Sequence, residues 1–119
     1  DTTKAFKLVN RNHKRILEVG CGKGNSTIVL AKLSNAEIIA TDNEELALGK
    51  LEEKLKLHSL NDKVSTKCVS MTEFDFGTDK FDIIWAEASA YIMGIENALT
   101  KWKPLLVEGG VLVGARFVQ

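Results

Sequence analysis

The sequence predicts an α/β fold, a mostly parallel sheet in a three-layer sandwich, and three observations carry that expectation. Short β-branched apolar runs alternate with segments of helical period along the chain. A turn with three glycines separates the first run from the first helical segment, and the second run ends on an acid, Asp42. With 119 residues, 45% of them hydrophobic, the chain supports one core and is too short for two ordinary domains. Residues 1–119 are therefore expected to form a single domain.

The elements follow in order. "AFKLVNRN" reads as the end of a lead-in helix and "RILEVG" as a buried strand. "NSTIVLAKL" places Ile28, Ala31 and Leu33 at helical spacing, with Asn25 or Ser26 available as N-cap. "AEIIATD" is the second strand. In "NEELALGKLEEKLKLHSL", Leu48, Leu51 and Leu55 share one helical face, and Glu44 and Glu45 fall in the first turn, where the helix dipole favours them. "KVSTKCVSM" alternates as a strand, and the polar connection "TEFDFGTDK" leads into the apolar run "FDIIWAEAS". "IENALTKWKPLL" reads as a helix ending near Pro104, after which Gly109-Gly110 turns the chain into a fifth strand, "VLVGARFV". Strands buried on both faces between helices imply a parallel sheet.

Bulk charge disfavours one class of partner. Sixteen basic side chains balance sixteen acidic ones, so no net field holds a polyanion, and nucleic acid is not an expected partner. The apolar runs are far shorter than a bilayer span, and no cleavable leader opens the chain. A cytoplasmic protein with no membrane partner is expected. Cys21 and Cys68 lack CxxC spacing, His13 and His58 stand alone, and no metal is expected. The chain opens at Asp1 and stops at Gln119 inside an apolar run, which reads as a segment of something longer.

The glycine turn, "RILEVGCGKGNST", carries the chemistry. In an open parallel sheet the ligand lies beyond the carboxyl ends of the strands, beside the first strand. The spacing is Gly20-x-Gly22-x-Gly24, whereas a dinucleotide fingerprint needs its third glycine where Asn25 stands. A Walker A order is absent too. Asp42 would face the same crevice, where a carboxylate accepts both hydroxyls of a ribose and repels phosphate. That suits an adenosine with free 2′ and 3′ hydroxyls, as in NAD or S-adenosylmethionine (SAM), and Asp42 does not discriminate between them. The alternative is purely structural: three glycines make a tight turn and Asp42 caps the following helix.

On "ILEVGCGKGNSTIVLAK", "IIATDNEELALGKLEEK" and "DKFDIIWAEASAYIMGIENALTKWKPLLVEGGVLV", the chain resembles the class I SAM-dependent methyltransferases, in the right order over nearly its whole length. The last section is similar to a branch acting on small or uncharacterised substrates. The resemblance implies a Rossmann-like sheet of order 3-2-1-4-5 and SAM as cofactor. It places Glu18 near the SAM ammonium and Gly20, Cys21, Gly22 and Gly24 along its methionine end. Asp42 would hold the ribose hydroxyls and Asn43 would pack beside adenine. Ser70 and Met71 stand where the family has an acid and a backbone N–H for the adenine ring. Ser70 departs from the acid, so the resemblance implies an adenine contact that is either weaker or shifted to Thr72.

Glu87, after the fourth strand, would face the junction of cofactor and acceptor, either as the group that orients or deprotonates the acceptor or as a helix cap. Trp85 and Trp102 read as core, and Tyr91 as a partly buried loop residue. "AEAS" replaces the N/D-P-P-Y/F signature of base-amino methyltransferases, which argues against DNA methylation. The expected activity is methyl transfer to a small-molecule acceptor. The alternatives are a noncatalytic SAM-binding module and a nicotinamide-dependent oxidoreductase. The family commonly completes its sheet with an antiparallel pair that lies beyond Gln119, so the fifth strand is expected to have an open edge, covered by further chain or, in a homo-oligomer, by a second copy.

Overall fold

In the computed structural model, residues 15–70, 73, 76–77, 79–86 and 95–114 are described. The lead-in segment around residues 5–12, His13, Met71, Thr72, Glu87 and Tyr91 lie outside them.

The apolar runs become strands and the helical-period segments become helices: β1 (Arg15–Val19), α1 (Asn25–Leu33), β2 (Glu37–Asp42), α2 (Glu45–Leu57), β3 (Val64–Cys68), β4 (Phe81–Ala86), α3 (Ile95–Trp102), a 3₁₀ turn (Lys103–Leu105) and β5 (Leu106–Gly114). The sheet runs β3-β2-β1-β4-β5 with every neighbouring pair parallel, the order expected. All five strands thus end at one edge. The chain leaves β1 toward β2 on one side and returns from β3 to β4 on the other, so β1 and β4 flank the switch point.

Alternation along the strands divides the core in two. Ile16, Ile38, Ala40, Ile83, Trp85 and Val113 project toward the face carrying Leu30 and Ala31 of α1 and Leu48, Leu51 and Leu55 of α2. Leu17, Val19, Ile84, Ala86 and Leu112 project to the opposite face, against Trp102. Each fully buried leucine or isoleucine contributes about 1.5–3 kcal/mol. Trp85 and Trp102 are core, as expected.

Three local expectations are corrected. The inward face of α1 is Thr27, Leu30 and Ala31, while Ile28 is only partly buried and Leu33 is 39% exposed. Counting apolar residues alone misphased the helix, because its inner face includes a hydroxyl. The N-cap of α1 is neither Asn25 nor Ser26 but Gly24, at φ +89° and with no side-chain cap bond. Gly109-Gly110 does not precede β5. The pair lies within it, where Phe81↔Leu106 and Ile83↔Val111 leave three extra residues on β5, and Gly109 takes φ +78°. A Cβ on Gly110 would come within 2.9 Å of Val107 O and 3.2 Å of Asp82 O, so the bulge needs glycine there.

At the amino edge, Arg15 ties strands together. Its main-chain N–H donates to Asp82 Oδ2 at 2.8 Å, and its guanidinium lies 3.5 Å from Glu37 Oε1 and 4.9 Å from the centre of the Phe81 ring. Among the described residues, no helix is long and apolar enough to cross a membrane.

Candidate cofactor site

β1 ends at Val19, and the chain must turn at once to start α1 on the same face of the sheet. Gly20, Gly22 and Gly24 all take positive φ, at 70°, 55° and 89°. Between them the backbone stays anchored to the sheet, because the Cys21 N–H donates to Thr41 O at 2.9 Å, and the turn closes with Gly24 N–H to Cys21 O at 3.0 Å. The glycines differ in what surrounds them. Gly20 is exposed at the end of β1, and a Cβ on Gly22 would meet nothing within 4 Å. A Cβ on Gly24 would overlap Leu51 Cδ1 and lie 3.1 Å from its Cγ. The third glycine therefore lets α1 approach α2, and the first two leave the turn open.

Asp42, the last residue of β2, reaches across the carboxyl edge. Its Oδ2 accepts the Gly22 N–H at 2.9 Å and its Oδ1 accepts the Glu44 N–H at 2.9 Å. The carboxylate thus fixes the glycine turn with one oxygen and, with the other, closes a local turn onto the Glu44 N–H just ahead of α2. A carboxylate offers about four acceptor sites, so two such bonds leave capacity for a vicinal diol. Asn43, next along the chain, is exposed. Val69 N–H donates to Asp42 O at 2.9 Å, which brings the end of β3 alongside, and half-buried Ser70 follows with its carbonyl accepting the Glu73 N–H at 3.0 Å.

Glu18 is 3% exposed, on the α1 face of the sheet. Thr27 Oγ1 donates to its Oε1, and Thr41 Oγ1 donates to its main-chain carbonyl at 2.7 Å. Neither threonine stood out in the sequence. The signal available was that an acid inside a strand otherwise buried on both faces requires a donor nearby.

Cys21 sits between the two carboxylates. Burial first, then the charges of Glu18 and Asp42, push its thiol from 9.0 up to about 12. It remains a thiol at neutral pH, which excludes it as a nucleophile. The two carboxylates beside the turn, Glu18 and Asp42, disfavour a pyrophosphate and favour a ligand carrying ammonium and sulfonium charges. The residues present therefore fit SAM. Glu18, Gly20, Cys21, Gly22, Asp42, Asn43 and Ser70 gather at the carboxyl edge, and Gly24 serves packing against Leu51.

Comparison with known proteins agrees with this geometry. A family model, Methyltransf_25, described as "Methyltransferase domain", matches residues 16–110. Sterol 24-C-methyltransferase of Clavispora lusitaniae is 26% identical over 108 residues, 90% of this chain and 29% of that protein. Ribosomal protein L11 methyltransferase of Syntrophomonas wolfei is 28% identical over 106 residues, 89% of this chain and 34% of that protein. The chain thus spans about a third of the length of these curated relatives. A SAM-dependent methyltransferase from Geobacter sulfurreducens, solved in complex with S-adenosyl-L-homocysteine, superposes with a TM-score of 0.81 at 18% identity, covering 95% of this chain and 45% of that one. That likeness shows the shared fold. The family match, over most of the chain, decides between the methyltransferase and nicotinamide readings that Asp42 left open: this chain belongs to the SAM-dependent methyltransferase domain family.

Proposed function

We propose that this chain is the cofactor-binding part of an enzyme that transfers a methyl group from SAM to a small-molecule acceptor. The observation that carries this reading is a glycine turn bracketed by two carboxylates, Glu18 from β1 and Asp42 from β2, at the switch point of a parallel sheet. Asp42 holds the ribose hydroxyls, Glu18 meets the amino-acid ammonium, and the exposed backbone at Gly20 and the open space beside half-buried Gly22 admit close approach. Asn43 and Ser70 lie at the adenine end, and Met71 and Thr72, the next two residues in the chain, are the further candidates for contacts to the ring.

When bound, SAM supplies an activated methyl group on a sulfonium with a good leaving group. The protein's own work is to hold the acceptor in line with that carbon and to keep water away. Glu87, the first residue after β4 in the chain, is the candidate to orient the acceptor or take its proton. A small acceptor is favoured by the sterol methyltransferases among the relatives and by the balanced charge of the chain.

Calorimetric titration with S-adenosylhomocysteine, with NADH and ATP as competitors, tests the cofactor assignment. Micromolar binding that is lost in Asp42→Ala supports it, and a folded protein that prefers NADH sinks it. For the acceptor role, Glu87→Gln should bind S-adenosylhomocysteine normally and lose methyl transfer. Full turnover in that variant removes Glu87 from the mechanism.

A further inference from the structure

Thr27 is a polar side chain with no exposed surface, on the inner face of α1 between the sheet and apolar neighbours. A hydroxyl buried without an acceptor costs about 1–3 kcal/mol, so its position needs a reason beyond packing, where valine has the same shape. Its acceptor is Glu18 Oε1. The main chain of Glu18 is held as well, by Thr41, which is 1% exposed and donates to the Glu18 carbonyl at 2.7 Å. Two buried hydroxyls, one from α1 and one from β2, therefore fix one acid at its side chain and at its backbone. Of the two, only Thr27 acts on the carboxylate itself.

We propose that Thr27 is a positioning residue that sets the site's selectivity for ligands carrying an amino-acid moiety. It does so by fixing the Glu18 carboxylate that receives the ammonium. The inference rests on the proposed cofactor site and adds a determinant to it. A nucleoside thioether without the amino acid, 5′-methylthioadenosine, shares the ribose and adenine contacts and omits the ammonium. Thr27 therefore matters to one ligand and not to the other.

The experiment is calorimetry of S-adenosylhomocysteine and 5′-methylthioadenosine against wild type, Thr27→Val, Thr27→Ser, Glu18→Gln and the Thr27→Val/Glu18→Gln double variant. A lost hydrogen bond to a charged group predicts that Thr27→Val weakens S-adenosylhomocysteine about tenfold or more and leaves 5′-methylthioadenosine within about twofold. Thr27→Ser, which keeps the hydroxyl, restores the selectivity. In the Glu18→Gln background the threonine substitution has no further effect on either ligand, because the charge it positioned is gone. If Thr27→Val does not fold, the contrast between Thr27→Ser and Thr27→Ala carries the same comparison. Equal weakening of both ligands, or an undiminished Thr27→Val effect without the Glu18 charge, overturns the inference while leaving the cofactor site standing. A folded wild type that binds neither ligand overturns the proposed function, and the inference with it.

Discussion

Replacing Gly24 and Gly22 by alanine, one at a time, separates the two reasons for which this turn is rich in glycine. At Gly24, φ is +89° and the added Cβ overlaps Leu51 Cδ1, with Cγ at 3.1 Å and Cβ at 3.4 Å. Leu51 has no exposed surface and is packed within the core between α2 and the sheet, so it has no room to retreat. Left-handed strain of about 1–2 kcal/mol and overpacking of about 1–3 kcal/mol give Gly24→Ala a loss of about 2–5 kcal/mol. At Gly22, φ is +55° and nothing lies within 4 Å, so only the strain of about 1–2 kcal/mol applies. With a urea m-value on the order of 1.5 kcal/mol/M, the midpoint falls by about 1.5–3 M for Gly24→Ala and about 1 M for Gly22→Ala. Ligand binding should reverse the ranking. Gly22→Ala, still folded, puts a methyl group in the open space before the turn and weakens S-adenosylhomocysteine, by about tenfold or more if one close contact is lost. In a Leu51→Ala background the overlap disappears, and Gly24→Ala should cost only the strain. A Gly24→Ala variant no less stable than Gly22→Ala, or an unchanged cost without the Leu51 side chain, refutes the packing argument.

The remaining predictions concern the carboxyl-edge thiol, its pH dependence and the far end of α1. Under native conditions at pH 8, a thiol reagent should label Cys68, which is exposed, and spare buried Cys21 until the protein is unfolded; rapid native labelling of Cys21 would contradict its burial. Because the folded Cys21 thiol is raised from 9.0 to about 12, its contribution to stability is complete below pH 9 and declines as pH rises from 9 toward 12, at a limiting slope of about 1.4 kcal/mol per pH unit. Cys21→Ala should flatten that part of the urea-midpoint profile. Lys63 Nζ donates to Ala31 O at 2.8 Å and Ser34 O at 2.7 Å, satisfying carbonyls at the end of α1. Lys63→Met should therefore lower stability by about 1–2 kcal/mol, read by urea unfolding, and leave S-adenosylhomocysteine affinity unchanged.

The alternation of strands and helices and the leucine face of α2 were legible because each rests on a repeated apolar signal, whereas the strand order came only from the resemblance to the methyltransferase family. β2 is the clear case: "AEIIATD" has one reading as a strand, and its terminal acid falls at the carboxyl edge once the sheet is parallel. The misreadings share a different cause. Thr27 belongs to the buried face of α1 because Glu18 accepts its hydroxyl, and a pattern that counts only apolar residues discards it. Gly109-Gly110 reads as a turn because glycine pairs usually interrupt strands. Its place within β5 depends on the main-chain oxygens of Val107 and Asp82, which leave no space for a Cβ at Gly110. Residues fixed by partners distant in sequence carry no periodic mark.

Asp42 shows why the structural and binding readings of such a turn are not rivals. Its carboxylate bonds the Glu44 N–H in a turn just ahead of α2 and holds Gly22 through the second oxygen, so one side chain ties the approach to a helix to the glycine turn. A ribose diol binding to that carboxylate would find it already oriented, and the entropy of ordering it is met during folding rather than on binding. The same coupling runs backward: an unfolded chain has no aligned pair of oxygens, so a ligand held there binds only the folded state and raises its stability in proportion to the logarithm of ligand concentration. If Asp42 is only structural, Asp42→Asn, which keeps one acceptor for Glu44 N–H and loses the one for Gly22 N–H, lowers the unfolding midpoint and leaves the shift produced by S-adenosylhomocysteine at its wild-type size. A shift that shrinks in the variant shows that the carboxylate also meets the ligand.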